Sequence, residues 1–215
     1  EIGRREHLTF KGNLRQTRYG WLRLTPAYSV HQVAELLGDD GQDAVVLDPF
    51  CGTGTTALVC AERGVACDTT DINPFLIWLA KAKASVYKAE EVDAFLALSP
   101  QVANAIQTSN GHAAWAPALH QIEKWWDEKT LTALARAWTA IKGQEESLSQ
   151  KSIDLLKVAF CRTMMDHAHV SFGHQSMSFK KHKQPQPAAA SLFGPEDHPV
   201  AVTWERVVPG IAAAA

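Results

Sequence analysis

The sequence predicts an α/β fold in which a mainly parallel sheet carries a helical insertion. First, residues 44–87 show the order strand, helix, strand, helix, which is typical of doubly wound sheets. Second, a glycine-containing turn lies between the first apolar run and the helix that follows it. Third, helical periodicity without a strand pattern fills the chain from residue 89 to residue 157. With 215 residues, of which 46% are hydrophobic, the chain is long and apolar enough to bury a core.

We expect four segments along the chain. They are an N-terminal arm (1–20), a ligand-binding α/β core (21–88), a helical insertion (89–166), and a basic, proline-containing loop that returns to the core (167–215).

The core is predicted element by element. Thr25 is a plausible N-cap and Pro26 suits the first turn of a helix that Gly38 ends. The wholly apolar run 44–47 is typical of a strand buried on both faces of a parallel sheet. The remaining core elements are then a helix at 55–63, a strand at 65–70 and a helix at 74–87.

The insertion is predicted to be helical, and the chain then returns to a strand. The expected helices are 92–98, 117–126, 129–141 and 152–165, and the expected strand is 200–208. One apolar stripe fits the side chains of Trp125, Trp126, Leu131, Leu134, Trp138 and Ile141. A small separate core explains such a stripe better than an aromatic platform for stacking bases, although both interpretations stay open.

Charge and cysteine content narrow the class of protein. A net charge of -2 excludes a generally basic nucleic-acid coat, so DNA contacts must come from local patches. The four cysteines form no CxxC pair and the histidines lack companions at ligand spacing, so we expect no metal. No apolar run approaches a membrane span and no signal peptide is visible, which predicts a cytoplasmic protein with reduced thiols. Candidate phosphate contacts are Arg15, Arg18, Lys180, Lys181 and Lys183, for which a solvated loop is an equally good reading.

The turn after the first strand carries the chemistry. Gly52 and Gly54 let the backbone bend and let a ligand lie against it, where free amides of the next helix also point. Asp71, about twenty residues further on, suits a ribose diol. Residues 52–57 formally fit the dinucleotide fingerprint G-x-G-x-x-A. However, the Asp48 carboxylate suits an ammonium group and would repel a pyrophosphate, which favours S-adenosylmethionine as the ligand.

Three linked motifs resemble those of DNA amino-methyltransferases that modify adenine N6 or cytosine N4. The turn resembles motif I of that family, Thr25-Pro26 resembles the segment that helps to hold the methionine end, and Asp71-Ile72-Asn73 resembles the acidic motif after the second strand. The resemblance implies a Rossmann-like methyltransferase sheet and S-adenosylmethionine as cofactor. The cofactor-binding residues that it implies are Thr25, Pro26, Asp48, Pro49, Phe50, Cys51, Gly52, Thr53, Gly54, Thr55, Thr56, Asp71, Ile72 and Asn73.

The same resemblance implies an acceptor-side motif that the sequence lacks. In the family, a (D/N/S)PP(Y/F/W) loop holds the exocyclic amine of a base flipped out of duplex DNA. No Pro-Pro occurs in the 215 residues, so no catalytic residue is assigned and we expect the loop from further sequence or from a second chain. The predicted function is site-specific DNA methylation in restriction-modification or epigenetic marking. An RNA methyltransferase and a non-catalytic cofactor-binding subunit are the alternatives; target site and base are left open.

Overall fold

A computed structural model describes residues 13, 17–22, 27–38, 44–108, 116–171, 178–179 and 197–215. The chain divides into two units, each with its own packing. Unit 1 contains Glu1–Tyr87 and Ala213–Ala215, and unit 2 contains Lys88–Ala212. Within the described residues the fold is a mixture of helices and short strands, and the Asp48–Thr56 turn belongs to unit 1.

Unit 1 is built around two parallel strands joined by a helix. A 3₁₀ turn at Arg18–Gly20 precedes its regular elements, which are α1 (Val30–Leu37), β1 (Val45–Asp48), α2 (Thr55–Arg63), β2 (Ala66–Thr69) and α3 (Pro74–Ala84). Val45 pairs with Ala66 at one end of the sheet and Asp48 with Thr69 at the other. Because the strands are parallel, their carboxyl ends meet at the same edge, where ligands of such sheets bind.

Glycines and an asparagine cap mark the ends of the helices α2 and α3 of unit 1. Helix α2 lies between Gly54 and Gly64, which both adopt the left-handed conformation at φ 78° and φ 70°. Helix α3 begins after Asn73, whose side chain accepts a hydrogen bond from Phe75 N. It ends before Ser85, so the predicted helix 74–87 is three residues too long.

The core of unit 1 lies between α1 and α2. Its buried members are Tyr19, Val30, Val33, Leu58 and Val59. The Tyr19 hydroxyl donates to Glu62 Oε2 at 2.6 Å, and burial together with this carboxylate raises the tyrosine pKa. The 3₁₀ turn is thereby fixed against α2.

Helix α1 begins later than predicted. Residues 27–29 are not helical, Ser29 is the N-cap, and Thr25 and Pro26 lie outside the described residues. The Asn13 side chain explains the difference: its Oδ1 accepts from Val30 N at 3.0 Å and its Nδ2 donates to Tyr28 O at 2.7 Å. These bonds hold the segment before α1, where Ser29 is extended, and they satisfy an amide of the first helical turn.

Strand β1 is more exposed than its apolar sequence predicted. Val45 and Leu47 are 72% and 69% exposed, whereas Asp48 is buried. Burial therefore alternates along the strand, which is the pattern of a sheet covered on one face. Among the described residues nothing covers the other face, so the prediction of a strand buried on both faces is wrong for this part of the chain.

Unit 2 is predominantly helical. Its elements are α4 (Ala89–Gln107), α5 (Glu128–Lys142), α6 (Gln150–Asp166), the antiparallel pair β3 (Val170–Ser171) and β4 (Ser178–Phe179), and α7 (Pro199–Ala214), whose last residues belong to unit 1. Helices α4, α5 and α6 pack pairwise. Trp204 of α7 is buried and donates from Nε1 to Ser99 O in α4 at 3.0 Å.

Sequence predictions for unit 2 had mixed outcomes. The helices 129–141 and 152–165 are confirmed as α5 and α6, and 92–98 forms part of the longer α4. The predicted helix 117–126 is wrong: only Ile122–Lys124 forms a 3₁₀ turn, because Gln121 has a left-handed φ of 54°. Trp126, Leu134 and Ile141 are buried, which makes that part of the aromatic stripe core.

The strand predicted at 200–208 is also wrong, because these residues lie in α7. The β-branched valines favoured a strand. The residues that α7 buries, namely Val200, Ala201, Trp204, Val208 and Ile211, instead recur at helical spacing. Packing of this stripe therefore overrides the local strand preference.

Two searches of the described residues concern other classes of site. No described helix combines the length and the apolar character needed to cross a membrane. Within the same residues, no group of three or more His, Cys, Asp or Glu side chains is arranged to hold a metal ion. His167 instead bonds through Nε2 to Thr203 Oγ1 at 2.9 Å, and burial lowers its pKa.

Candidate functional site

The turn after β1 is tied to the end of β2 by backbone hydrogen bonds. Cys51 N donates to Thr70 O at 2.8 Å, and Thr70 N donates to Asp48 O at 3.0 Å. The Thr70 hydroxyl adds a third bond to Pro49 O at 3.0 Å. The parallel ladder thus continues past both strands, and it holds the glycine turn beside the segment that carries Asp71.

Two carboxylates at this edge accept hydrogen bonds from the backbone. Asp48 Oδ1 accepts from Phe50 N at 3.0 Å, inside the turn. Asp71 accepts from Gly52 N at 2.9 Å through Oδ2 and from Asn73 N at 2.8 Å through Oδ1. Asp71 therefore links the turn to the start of α3, and both of its oxygens are held in a fixed orientation.

The two glycines of the turn have different roles. Gly52 has φ 50°, and a β-carbon there would meet nothing closer than Phe50 O at 3.7 Å. Gly54 has φ 78°, and a β-carbon there would lie 2.6 Å from Ala80 Cβ. The missing side chain of Gly54 thus admits helix α3. This differs from the expectation that both glycines make room for a ligand.

A cavity of about 720 Å³ opens at the carboxyl ends of β1 and β2. This volume lies within the usual range for small-molecule sites, roughly 300–1,000 Å³. Its walls come from the segment before α1, the glycine turn, and the start of α3. The lining residues are Ala27, Tyr28, Phe50, Cys51, Gly52, Thr53, Thr55, Asp71, Asn73, Phe75 and Leu76.

The predicted cofactor residues are distributed unevenly around this cavity. Seven line it: Phe50, Cys51, Gly52, Thr53, Thr55, Asp71 and Asn73. Asp48 and Thr56 line a separate groove beside α1, Gly54 packs on α3, and Ile72 is 99% exposed outside the cavity wall. Pro49 contributes its carbonyl to the bond from Thr70. Thr25 and Pro26 lie outside the described residues, as do Arg15, Lys180, Lys181 and Lys183.

Sequence reasoning missed two aromatic walls and one buried cation. Tyr28 and Phe75 line the cavity, and the Phe75 ring lies 5.5 Å from the Trp78 ring. Lys83 of α3 is 1% exposed beneath the turn. Its spacing from Leu79 and Ala80, at i+4 and i+3, is the signal that places it on the buried face of α3.

Cys51, which lines the cavity, is not an activated nucleophile. Burial raises the pKa of its thiol, and the nearby carboxylates Asp48 and Asp71 act in the same direction, although a hydrogen bond to Thr69 opposes them. The thiol is therefore protonated at neutral pH and contributes packing rather than reactivity.

Arg18, a candidate DNA contact from its sequence, is engaged within unit 1. Its guanidinium donates to Lys83 O at 3.1 Å and also to Ser85 O, at the carboxyl end of α3. The same group lies 5.2 Å from the centre of the Tyr87 ring and 6.0 Å from that of Trp21. A cation at a helix C-terminus stabilises the helix, so Arg18 has a structural task here.

Comparisons with known proteins give partial similarities. The chain is 29% identical over 72 residues to the Type II methyltransferase M.AvaI of Nostoc sp. and, with the same values, to that of Anabaena variabilis; the match covers 33% of this chain and 15% of each relative. It is also 29% identical over 97 residues to the Type II methyltransferase M.BsoBI of Geobacillus stearothermophilus, covering 43% of this chain and 19% of the relative. The matched region thus spans less than a fifth of each relative's length. No family model matches the chain, and no solved structure matches it.

Proposed function

We propose that this chain carries the S-adenosylmethionine site of a DNA methyltransferase with a Rossmann-like sheet. The observation that carries the proposal is the cavity at the carboxyl ends of the parallel strands β1 and β2, walled by the glycine turn and by Asp71 and Asn73. Ligands of parallel sheets bind at this edge. The partial similarity to Type II methyltransferases points to a methyl donor rather than a dinucleotide.

The chemistry of the lining residues fits the parts of S-adenosylmethionine. We assign Asp71 and Asn73 to the ribose hydroxyls, since each Asp71 oxygen keeps a further lone pair besides the one that accepts from the backbone. The rings of Phe75 and Tyr28 and the exposed ring of Phe50 are the apolar surface for the adenine and the methionine chain. Asp48 lines the neighbouring groove and not this cavity, so its carboxylate is assigned to the ammonium group through water.

The methyl acceptor is proposed to be an exocyclic amine of adenine or cytosine in a flipped base of duplex DNA. Since no Pro-Pro occurs in the 215 residues, the loop that holds the amine comes from outside them, in further sequence or in a second chain. Arg15, Lys180, Lys181 and Lys183 remain our candidates for phosphate contacts. Arg18 is not among them, because carbonyl groups already engage its guanidinium.

Calorimetry with S-adenosylmethionine tests the cofactor assignment. We expect the wild type to bind it and not NAD. Asp71→Asn should weaken binding by about 10- to 100-fold, the usual range for a hydrogen bond to a charged group. Asp68→Asn is the matched control, because Asp68 is exposed on β2 and does not line the cavity. Binding of NAD but not of S-adenosylmethionine would overturn the assignment, and undiminished binding by Asp71→Asn would remove Asp71 from the site.

Transfer of a labelled methyl group tests the acceptor. Duplex DNA and tRNA are offered with S-adenosylmethionine to this chain alone and to the protein from the complete reading frame, co-expressed with its neighbouring genes. We expect label on DNA only, and only in the second case, because the chain alone lacks the acceptor loop. Label on tRNA would show that the acceptor is RNA and not DNA. Methylation of DNA by the chain alone would disprove the proposal that the acceptor loop comes from outside these 215 residues.

A further inference from the structure

Lys83 is a buried cation directly beneath the glycine turn. It lies in α3 with 1% of its surface exposed, and its Nζ donates to Thr53 O at 2.9 Å. The Thr53 carbonyl belongs to the turn itself, and Thr53 is also a lining residue of the cavity. A side chain of α3 therefore reaches the backbone of the candidate cofactor site, and Lys83 itself is not among the residues that line the cavity.

Burial of this ammonium is unfavourable for folding. Removal from water lowers the pKa of Lys83 to about 8, and the thiol of Cys51 opposes this effect only in part. A buried charge costs free energy unless good partners compensate for it, and an apolar residue of similar volume avoids that cost. Packing alone thus gives no reason for a lysine at this position.

The hydrogen bond to Thr53 fixes one peptide plane of the turn. In a trans peptide the carbonyl and the following N–H point in opposite directions. Lys83 Nζ holds the Thr53 carbonyl, while the N–H of the same unit, on Gly54, donates to Cys51 O at 2.9 Å. The plane is therefore held at both ends, and Ala80 blocks its displacement towards α3.

We propose that Lys83 is a positioning residue, whose ammonium locks the Thr53–Gly54 peptide in the orientation that the turn needs to bind its cofactor. The inference rests on the proposed S-adenosylmethionine site and deepens it. Lys83 contacts the turn and not the ligand, so its effect is transmitted through the Thr53 carbonyl. The buried charge of Lys83 lowers folding stability, while its hydrogen bond orders the site, a compromise that is common at functional residues.

Lys83→Met separates this role from a purely structural one. We expect the variant to bind S-adenosylmethionine about ten-fold or more weakly, because a charge-assisted hydrogen bond that orders the turn is lost. Its thermal midpoint should stay equal to or rise above that of the wild type, since the buried charge is gone. Hydrogen exchange at the amides of Cys51–Thr55 should become faster. Lys81→Met is the matched control on the exposed face of α3 and should change none of these quantities.

The outcomes decide between the alternatives. Unchanged affinity and unchanged exchange in Lys83→Met would overturn the proposal, and a parallel fall of affinity and thermal midpoint would reduce Lys83 to a structural residue. If the wild type fails to bind S-adenosylmethionine, the proposed function fails, while the exchange comparison still decides whether Lys83 orders the turn. Lys83→Gln, which keeps a donor without the charge, replaces the methionine variant if that one does not fold, and should show intermediate affinity.

Discussion

Replacement of Gly54 by alanine is the sharpest structural test of how the turn meets α3. The new β-carbon would lie 2.6 Å from Ala80 Cβ and 2.7 Å from Ala80 Cα, so the turn or the helix must move. Overpacking of this kind typically costs about 1–3 kcal/mol. The left-handed backbone at φ 78° adds about 1–2 kcal/mol for any residue with a β-carbon. We therefore expect Gly54→Ala to lower the free energy of unfolding by about 2–5 kcal/mol.

Gly64→Ala provides a matched control for the steric part. Gly64 has nearly the same backbone conformation, with φ 70° and ψ 20°, but a β-carbon there meets nothing within 4 Å. Urea unfolding followed by circular dichroism gives both values, and their difference measures the contact with Ala80. We expect a difference of about 1–3 kcal/mol. Equal destabilisation by the two substitutions would refute the close approach of the turn to α3.

Two further predictions concern one residue in each unit. Because the pKa of Lys83 is lowered from 10.5 to about 8, the unfolded chain binds more protons between these values, and stability should rise by about 3 kcal/mol as pH increases through this window. Thiols with raised pKa values make stability fall as pH rises. The effect of Lys83 is therefore measured as the difference between the wild type and Lys83→Met in how the free energy of unfolding changes with pH. An equal change in both proteins would contradict the prediction. In unit 2, Trp204→Phe should cost about 2 kcal/mol of unfolding free energy, since it leaves a small cavity and removes the bond to Ser99 O, and an unchanged urea midpoint would contradict the buried hydrogen bond.

The sequence predicted the turn well because its determinants are local. Gly54 and Gly64 set both bounds of α2, and Asn73-Pro74 sets the start of α3, at the residues that the sequence predicted. These signals act through the conformation of a single residue or through a cap. The order of β1, α2, β2 and α3 therefore followed from the sequence.

Three features that the sequence did not predict involve distant contacts. Asn13 delays the start of α1 through two hydrogen bonds across a gap of 15 or more residues. The stripe that contains Trp204 makes α7 a helix, although its valines favour a strand locally. Lys83 reaches Thr53 across 30 residues. No window of local sequence contains both partners of the Asn13 and Lys83 contacts, so turn chemistry could not reveal them, whereas the helical spacing of the α7 stripe is a local signal.

The two backbone hydrogen bonds to Asp71 bear on the kinetics of binding. A carboxylate whose oxygens already accept from Gly52 N and Asn73 N has little rotamer freedom left to lose when a ligand arrives. Its partners also belong to two segments that line the cavity, the glycine turn and the start of α3, so these segments are joined before a ligand arrives. Association with a prepared wall of this kind needs no slow rearrangement at Asp71, and the residence time of the ligand then depends mainly on how fast its contacts break.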